Sequence, residues 1–206
     1  AVNGLALGRY KIGQFKTQNS EIHPLENDDF QLLLISPQGN TDDLQKAAEK
    51  GLATAETQMS VLHLVNAPSN KKVPQDLGNW ALKSGERYGY TVDVWDKYRI
   101  EEAGLHGLLA VNRGSETPPV FIIMEYKPEQ DNVPKIGLVG KGVTFDTGGL
   151  SIKPSTNMHY MKSDMGGAAA VLGTMELAAK LKLPVHLIGI VPSTDNSVDA
   201  RSIKPS

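Results

Sequence analysis

The amino-acid sequence predicts an α/β sandwich built on a mixed sheet, and three observations carry that prediction. Short apolar runs such as Val120–Tyr126 (VFIIMEY) and Val185–Val191 (VHLIGIV) recur along the chain; continuous runs of this kind are strands buried on both faces. Stretches with apolar residues at three-to-four-residue spacing lie between several of them and read as helices. Two neighbouring runs, Val120–Tyr126 and Ile136–Gly140, are joined by a polar loop too short for a helical crossover. At least one antiparallel pair is therefore expected.

Taken in order, Asp29–Ser36 (DFQLLLIS) reads as a strand. Asn40, Thr41 and Asp42 then supply helix-start chemistry, and Leu44, Ala48, Leu52, Ala55, Met59 and Leu62 mark a long amphipathic helix ended by Asn66-Ala67-Pro68. A helix this long is expected to join two domains. Pro74–Tyr88 is a second helix with Leu77, Trp80, Ala81 and Tyr88 on one face. Thr91–Trp95 reads as a strand, Asp96–Gly107 as a helix, and Leu108–Asn112 as another strand. After the two runs already named, Met165–Leu181 is a helix and Val185–Val191 the last strand. The pentapeptide SIKPS occurs at Ser151–Ser155 and again at Ser202–Ser206, but nothing around the copies matches, so no duplication is inferred.

Composition narrows the function classes. Of the 206 residues 40% are hydrophobic and 21% charged, with a net charge of −2, so the basic excess of a nucleic-acid binder is missing. No apolar run approaches the ~18 residues of a membrane span. Residues 1–11 lack the charged start and long apolar stretch of an obvious signal peptide, so a cytoplasmic enzyme is the default expectation. With no cysteine, any metal has to be held by carboxylates, histidines or unusual ligands. The missing initiator methionine and the end just after a strand and loop fit an internal piece of a longer chain.

Chemistry concentrates in Val139–Met165 (VGKGVTFDTGGLSIKPSTNMHYMKSDM). Lys141 follows an apolar strand, Asp146 stands before Gly148-Gly149, Lys153 comes next, and Asp164 stands at the mouth of a helix rich in small residues. Functional groups of an open α/β sheet gather beyond the carboxyl ends of its strands, where Lys141 and Asp146 belong. The glycine pairs Gly148-Gly149 and Gly166-Gly167 permit unusual dihedrals and close backbone approach, and Ala168–Ala170 allow tight helix packing. Each residue also has a bland reading. Asp164 is open to a role as helix N-cap, Lys141 and Lys153 to being solvated lysines, and Gly148-Gly149 to being a turn. The combination outweighs these. A phosphate-binding loop at Gly137–Thr144 fails, because only two residues separate Gly137 from Gly140 and Lys141 is followed by glycine, with no helix after it.

These residues resemble the signature of the leucyl (cytosol) aminopeptidase family of metallopeptidases. Leu108–Pro128, Leu64–Asn70 (LVNAPSN) and Leu5–Thr17 (LALGRYKIGQFKT) are similar to further segments of that family, so the likeness spans almost the whole chain. It implies a three-layer α/β/α sandwich with a mixed, mostly parallel sheet as the first part of a catalytic domain over 67–206. The end of a smaller α/β N-terminal domain (1–38) and a linking helix (39–66) would precede it. It implies an enzyme that removes N-terminal amino acids, leucine-like ones preferred, from peptides by means of two divalent ions, zinc or manganese, with bicarbonate as a further cofactor. Lys141, Asp146 and Asp164 match metal ligands, Lys153 a catalytic lysine that binds no metal, and Met161 the wall of the pocket for the substrate's side chain; Lys153 and Asp146 also match substrate contacts. Thr147 replaces a common serine. A homohexamer with inward-facing sites is implied, with peptides as partners and neither nucleic acid nor membrane.

The residue types suit this chemistry. Two dications roughly 3–4 Å apart lower the pKa of a shared water towards neutrality, and carboxylates neutralise and bridge such ions. Lys141 would have to bind as the free amine, which burial and adjacent dications favour. Lys153 would stay an ammonium and stabilise a developing oxyanion. The family's NTDAEGR motif, which supplies two more ligands and an arginine for the bicarbonate, is not in these residues. Asp195 and Asp199 lie in a loop-like STDNSVDARS without a neighbouring Glu-x-Arg, and Lys204 is a decoy. The rival reading is a non-catalytic assembly or binding protein that retains the fold.

Overall fold

The computed structural model describes residues 1–12, 23–24, 33, 35, 37, 40–199 and 201–205. Most of the strand expected at Asp29–Ser36 lies outside them, as does most of Leu5–Thr17 beyond Ile12.

Helix α1 (Val2–Gly8) lies along α2 (Thr41–Asn66). Asn3 donates to Gln58 at 2.8 Å, and Asn66 donates to the Tyr10 hydroxyl at 3.0 Å. Asn40 caps α2 by accepting from the Asp42 amide, and Asp42 and Asp43 occupy the positive first turn. Helix α3 (Pro74–Tyr88) opens with proline at its first position, has the Val73 amide donating to Asp76 at 2.8 Å, and stops at Gly89 with φ 79°. β1 (Thr91–Trp95) is followed by α4 (Lys97–Glu102), capped by Asp96. The expected helix Asp96–Gly107 breaks at left-handed Gly104, φ 69°. The expected strand Leu108–Asn112 is instead helix α5 (His106–Asn112). An apolar run of four residues does not distinguish strand from packed helix.

The remaining elements are β2 (Val120–Tyr126), β3 (Lys135–Val139), β4 (Gly142–Asp146), α6 (Gly166–Lys180) and β5 (His186–Asn196), with a 3-10 segment at Met158–Ser163. The sheet order is β1-β2-β5-β3, and β4 also pairs with β5. β1–β2 and β2–β5 are antiparallel, while β3–β5 and β4–β5 are parallel. Among the described residues the sheet is mixed, as expected, with two pairings of each kind rather than a parallel majority. β2 and β3 run in opposite directions but are not hydrogen-bonded neighbours, because β5 inserts between them. That insertion depends on a strand that follows β3 by nearly fifty residues, so the short β2–β3 loop does not reveal it.

Val120, Ile122, Met124 and Tyr126 on β2, and Leu187 and Val191 on β5, turn one sheet face towards Leu77 and Ala81 of α3 and towards α6. Strand alternation puts Thr194 on the opposite face, where the Asn112 amide of α5 donates to its hydroxyl at 3.0 Å. The sheet thus lies between helical layers. On the core side, α2, α3 and α6 are tied by the buried Glu176 carboxylate, which accepts from Thr57 and Ser84 at 2.7 Å each and pairs with Lys180 at 3.0 Å.

Candidate metal centre

β3 and β4 run along the same side of β5, one after the other. Val139 pairs with Ile190, Gly142 with Ser193, and Gly140 and Lys141 form the break between. The Gly140 amide stays bonded to the Ile190 carbonyl at 2.9 Å, and the Lys141 carbonyl accepts from the Ala168 amide in the first turn of α6 at 2.9 Å. A Cβ on Gly140 would lie 2.5 Å from the Gly167 carbonyl oxygen. Glycine at that position therefore lets helix and strand end meet, and the meeting fixes the backbone of Lys141. A register shift between Val143 and Asp146 then bends β4 where it delivers Asp146. β4 and β5 end together at Asp146 and Asn196, and the Lys141 side chain reaches that end from the break between β3 and β4, so the crevice expected beyond the strand ends is where these groups meet.

Lys141 Nζ lies 2.6 Å from Asp164 Oδ2 and 3.9 Å from Asp146 Oδ2. Lys153 Nζ donates to Asp146 Oδ2 at 2.6 Å and lies 3.3 Å from Met161 Sδ. All five residues expected at the site are thus brought together. Asp164 does not cap α6: the cap position is Met165, with no side-chain bond. Gly148 and Gly149 have φ 88° and 74°, and this left-handed pair turns the chain back so that the Lys153 amide reaches the Thr147 carbonyl at 2.9 Å. Ala168 and Ala169 are buried against the core while Ala170 faces out.

Burial pushes the Asp146 carboxyl upward, but hydrogen bonds from Lys153, the Gly148 amide and Asn196, with the Lys153 charge, outweigh it and hold the group below the usual carboxylate range. Asp164 Oδ2 is buried and accepts no hydrogen bond, with only the Lys141 cation against it. An oxygen in that condition, beside a second carboxylate and an amine, fits a divalent cation. Among the described residues no group of three or more histidine, cysteine or carboxylate side chains converges, so the donors here make up one side of such a site.

A family model described as the catalytic domain of the cytosol aminopeptidase family matches residues 60–206. The chain belongs to the cytosol aminopeptidase family. It is 46% identical to a probable cytosol aminopeptidase of Chloroherpeton thalassium, across all of this chain and 42% of the relative, and 41% identical to one of Chlorobaculum tepidum, across 99% and 41%. Among solved structures, it matches the bottromycin maturation enzyme BotP in complex with Mn at 35% identity and TM-score 0.79, covering 95% of this chain and 39% of that one. It matches the cytosol aminopeptidase of Coxiella burnetii at 28% identity and TM-score 0.77, covering 99% and 40%. The chain spans about two fifths of the length of these cytosol aminopeptidases.

Two residues that the motif does not include belong to the surroundings of the site. Asn196 donates its amide to Asp146 Oδ1 at 2.8 Å, and its carbonyl accepts from the Thr147 hydroxyl at 2.8 Å and the Thr147 amide at 2.9 Å. A polar Asp-Asn pair closing an apolar strand was the available signal. Asp195, expected in a loop, is part of β5 and 1% exposed; it accepts from Thr144 and pairs with Lys204. Lys204 thus stays outside the metal centre but holds the strand that carries Asn196.

Proposed function

We propose that the full-length protein is a metal-dependent aminopeptidase that removes N-terminal residues, leucine-like ones preferred, from peptides. The observation that carries this reading is the meeting of Lys141, Asp146 and Asp164 at one strand-end crevice, with Lys153 and Met161 against it. In this reading Lys141, as a free amine, and the two carboxylates hold divalent ions, zinc or manganese, which when bound supply Lewis acidity and an acidified water. The manganese in the structure of the relative BotP supports that choice. Binding there displaces the Lys141 ammonium that now neutralises Asp164.

In the same reading Lys153, ion-paired with Asp146, offers its ammonium to the scissile carbonyl oxygen as that oxygen gains charge. Met161 is flexible and apolar, and its sulfur beside Lys153 puts the wall of a side-chain pocket next to the reacting carbonyl. Asn196 and the Gly148 amide hold Asp146 Oδ1 and leave its other oxygen facing the lysines. Bicarbonate, the homohexamer and a cytoplasmic location belong to the same proposal through the family.

The test is hydrolysis of leucine anilide by the full-length protein, before and after chelation. Activity that is lost on chelation, restored by manganese or zinc, and absent on N-acetyl-leucine anilide is expected. Undiminished activity in the chelated protein, or equal cleavage of the acetylated substrate, would overturn the reading. Metal binding without hydrolysis of any aminoacyl substrate would favour the non-catalytic alternative.

A further inference from the structure

Lys72 is a buried cation that neither the motif nor the proposed chemistry employs. It lies in the connection between α2 and α3, and its residue is 1% exposed. Lysine is almost never fully buried unless its charge is answered, and a methionine would fill the same stem volume without the desolvation cost. What answers the charge is a main-chain carbonyl: Lys72 Nζ donates to the oxygen of Lys162. Asp195 supports the positive charge from a distance, while its own carboxylate is taken by Thr144 and Lys204.

Lys162 stands between Met161 and Asp164 in the 3-10 segment Met158–Ser163, which closes with the Asp164 amide bonded to the Met161 carbonyl at 3.2 Å. Side chains on either side of this one carbonyl make the two contacts that define the site. Asp164 reaches Lys141 at 2.6 Å, and the Met161 sulfur reaches Lys153 at 3.3 Å. No side chain caps the segment at its N-terminal end, where Asn157 has φ 66°. The Lys72 ammonium is therefore a fixed point from outside the turn.

We propose that Lys72 is a positioning residue: it clamps the Lys162 carbonyl and so sets both the Asp164 carboxylate and the Met161 pocket wall. This deepens the function proposed above and rests on it. Removing the clamp lets the turn shift, and a shift moves metal affinity and side-chain selectivity together. A residue that only fills space changes stability and leaves both alone.

The experiment uses full-length Lys72→Met and Lys72→Arg. Three quantities are read: manganese affinity by calorimetry without substrate, the ratio of kcat/KM for leucine over alanine anilide, and backbone hydrogen exchange of residues 158–164. Lys72→Met is expected to weaken manganese binding by about 10-fold or more, to reduce the ratio several-fold and to speed exchange in the turn. Lys72→Arg, which keeps a long stem and a donor, is expected to recover most of each. Unchanged exchange in Lys72→Met overturns the clamp whatever the activity, as does wild-type affinity and ratio accompanied only by a lower Tm. If Lys72→Met does not fold, the shorter neutral Lys72→Gln takes its place: faster exchange and weaker binding support the clamp, and unchanged exchange overturns it. Wild-type protein that binds no manganese and cleaves no aminoacyl anilide would instead fail the function, and exchange alone would then decide the clamp.

Discussion

Lys141 Nζ lies 2.6 Å from Asp164 Oδ2, although the two residues are separated by the whole of β4, the left-handed Gly148-Gly149 turn and the 3-10 segment. The pairing, with Met165 at the cap position, argues against a capping role for Asp164. An aspartate before a small-residue helix is by composition a cap, yet the α6 amides of Gly166 and Gly167 receive no side chain, and the first turn instead meets the Lys141 carbonyl through Ala168.

Asp164→Ser separates these roles, because serine caps a helix about as well as aspartate. A cap would survive the exchange. The expected outcome is manganese binding weakened by more than about 100-fold, in excess of the effect of losing an outer-shell partner. Unfolding free energy should stay within about 1 kcal/mol, as Lys141 is largely exposed and its ion pair is screened. Calorimetry and urea unfolding of the same preparation check both.

For Lys153→Ala the expected result is retained manganese affinity, within a few-fold, and a kcat reduced by about 10²–10³, the effect of removing one donor to a developing oxyanion. The mutation also removes a hydrogen bond that holds Asp146 down, leaving burial less opposed. Hydrolysis of leucine anilide at the wild-type rate would remove Lys153 from the chemistry.

Much of this arrangement is legible in the residues. Pro74–Tyr88, Thr91–Trp95 and Val120–Tyr126 match their elements to the residue, since each is bounded by proline, glycine or a capping aspartate that ends one backbone conformation. The five site residues are carried by a motif whose glycines enforce local geometry. The misses are non-local. Nothing in β2 or β3 announces that β5 will separate them, and the apolar Leu108–Val111 serves α5 because Asn112 finds Thr194 on the far face of the sheet. Asn196 escaped because an amide carries no chemistry of its own; only its contact with Asp146 gives it a role.

Glu176→Ala probes the packing of α2 on α6, independently of function. The carboxylate is 5% exposed and satisfies Thr57, Ser84 and Lys180 at once. Its loss leaves the Thr57 and Ser84 hydroxyls without their acceptor, while Lys180 keeps Thr57 at 3.0 Å and Glu56 at 3.8 Å. A destabilisation of about 2–3 kcal/mol is expected, the cost of buried donors left without their acceptor. A cost under about 1 kcal/mol in urea unfolding would mean that water replaces the carboxylate.

Two buried groups near α3, Lys72 and Tyr90, make stability depend on pH in the alkaline range. Burial, then the Lys162 charge, lower Lys72 from 10.5 to about 8 against the opposing pull of Asp195. Between pH 8 and 10.5 the unfolded chain therefore holds a proton there that the folded chain has released, and stability rises with pH in that window. Tyr90 works the other way: burial raises its hydroxyl above the ordinary 10.0, so above that pH the unfolded chain ionises first and stability falls. The two contributions together place a maximum near pH 10 on the stability curve, with a rising limb no steeper than about 1.4 kcal/mol per pH unit. Urea unfolding between pH 7 and 11 checks this. Lys72→Met should flatten the rise and Tyr90→Phe should weaken the fall, whereas a rise that persists in Lys72→Met would assign it to another group.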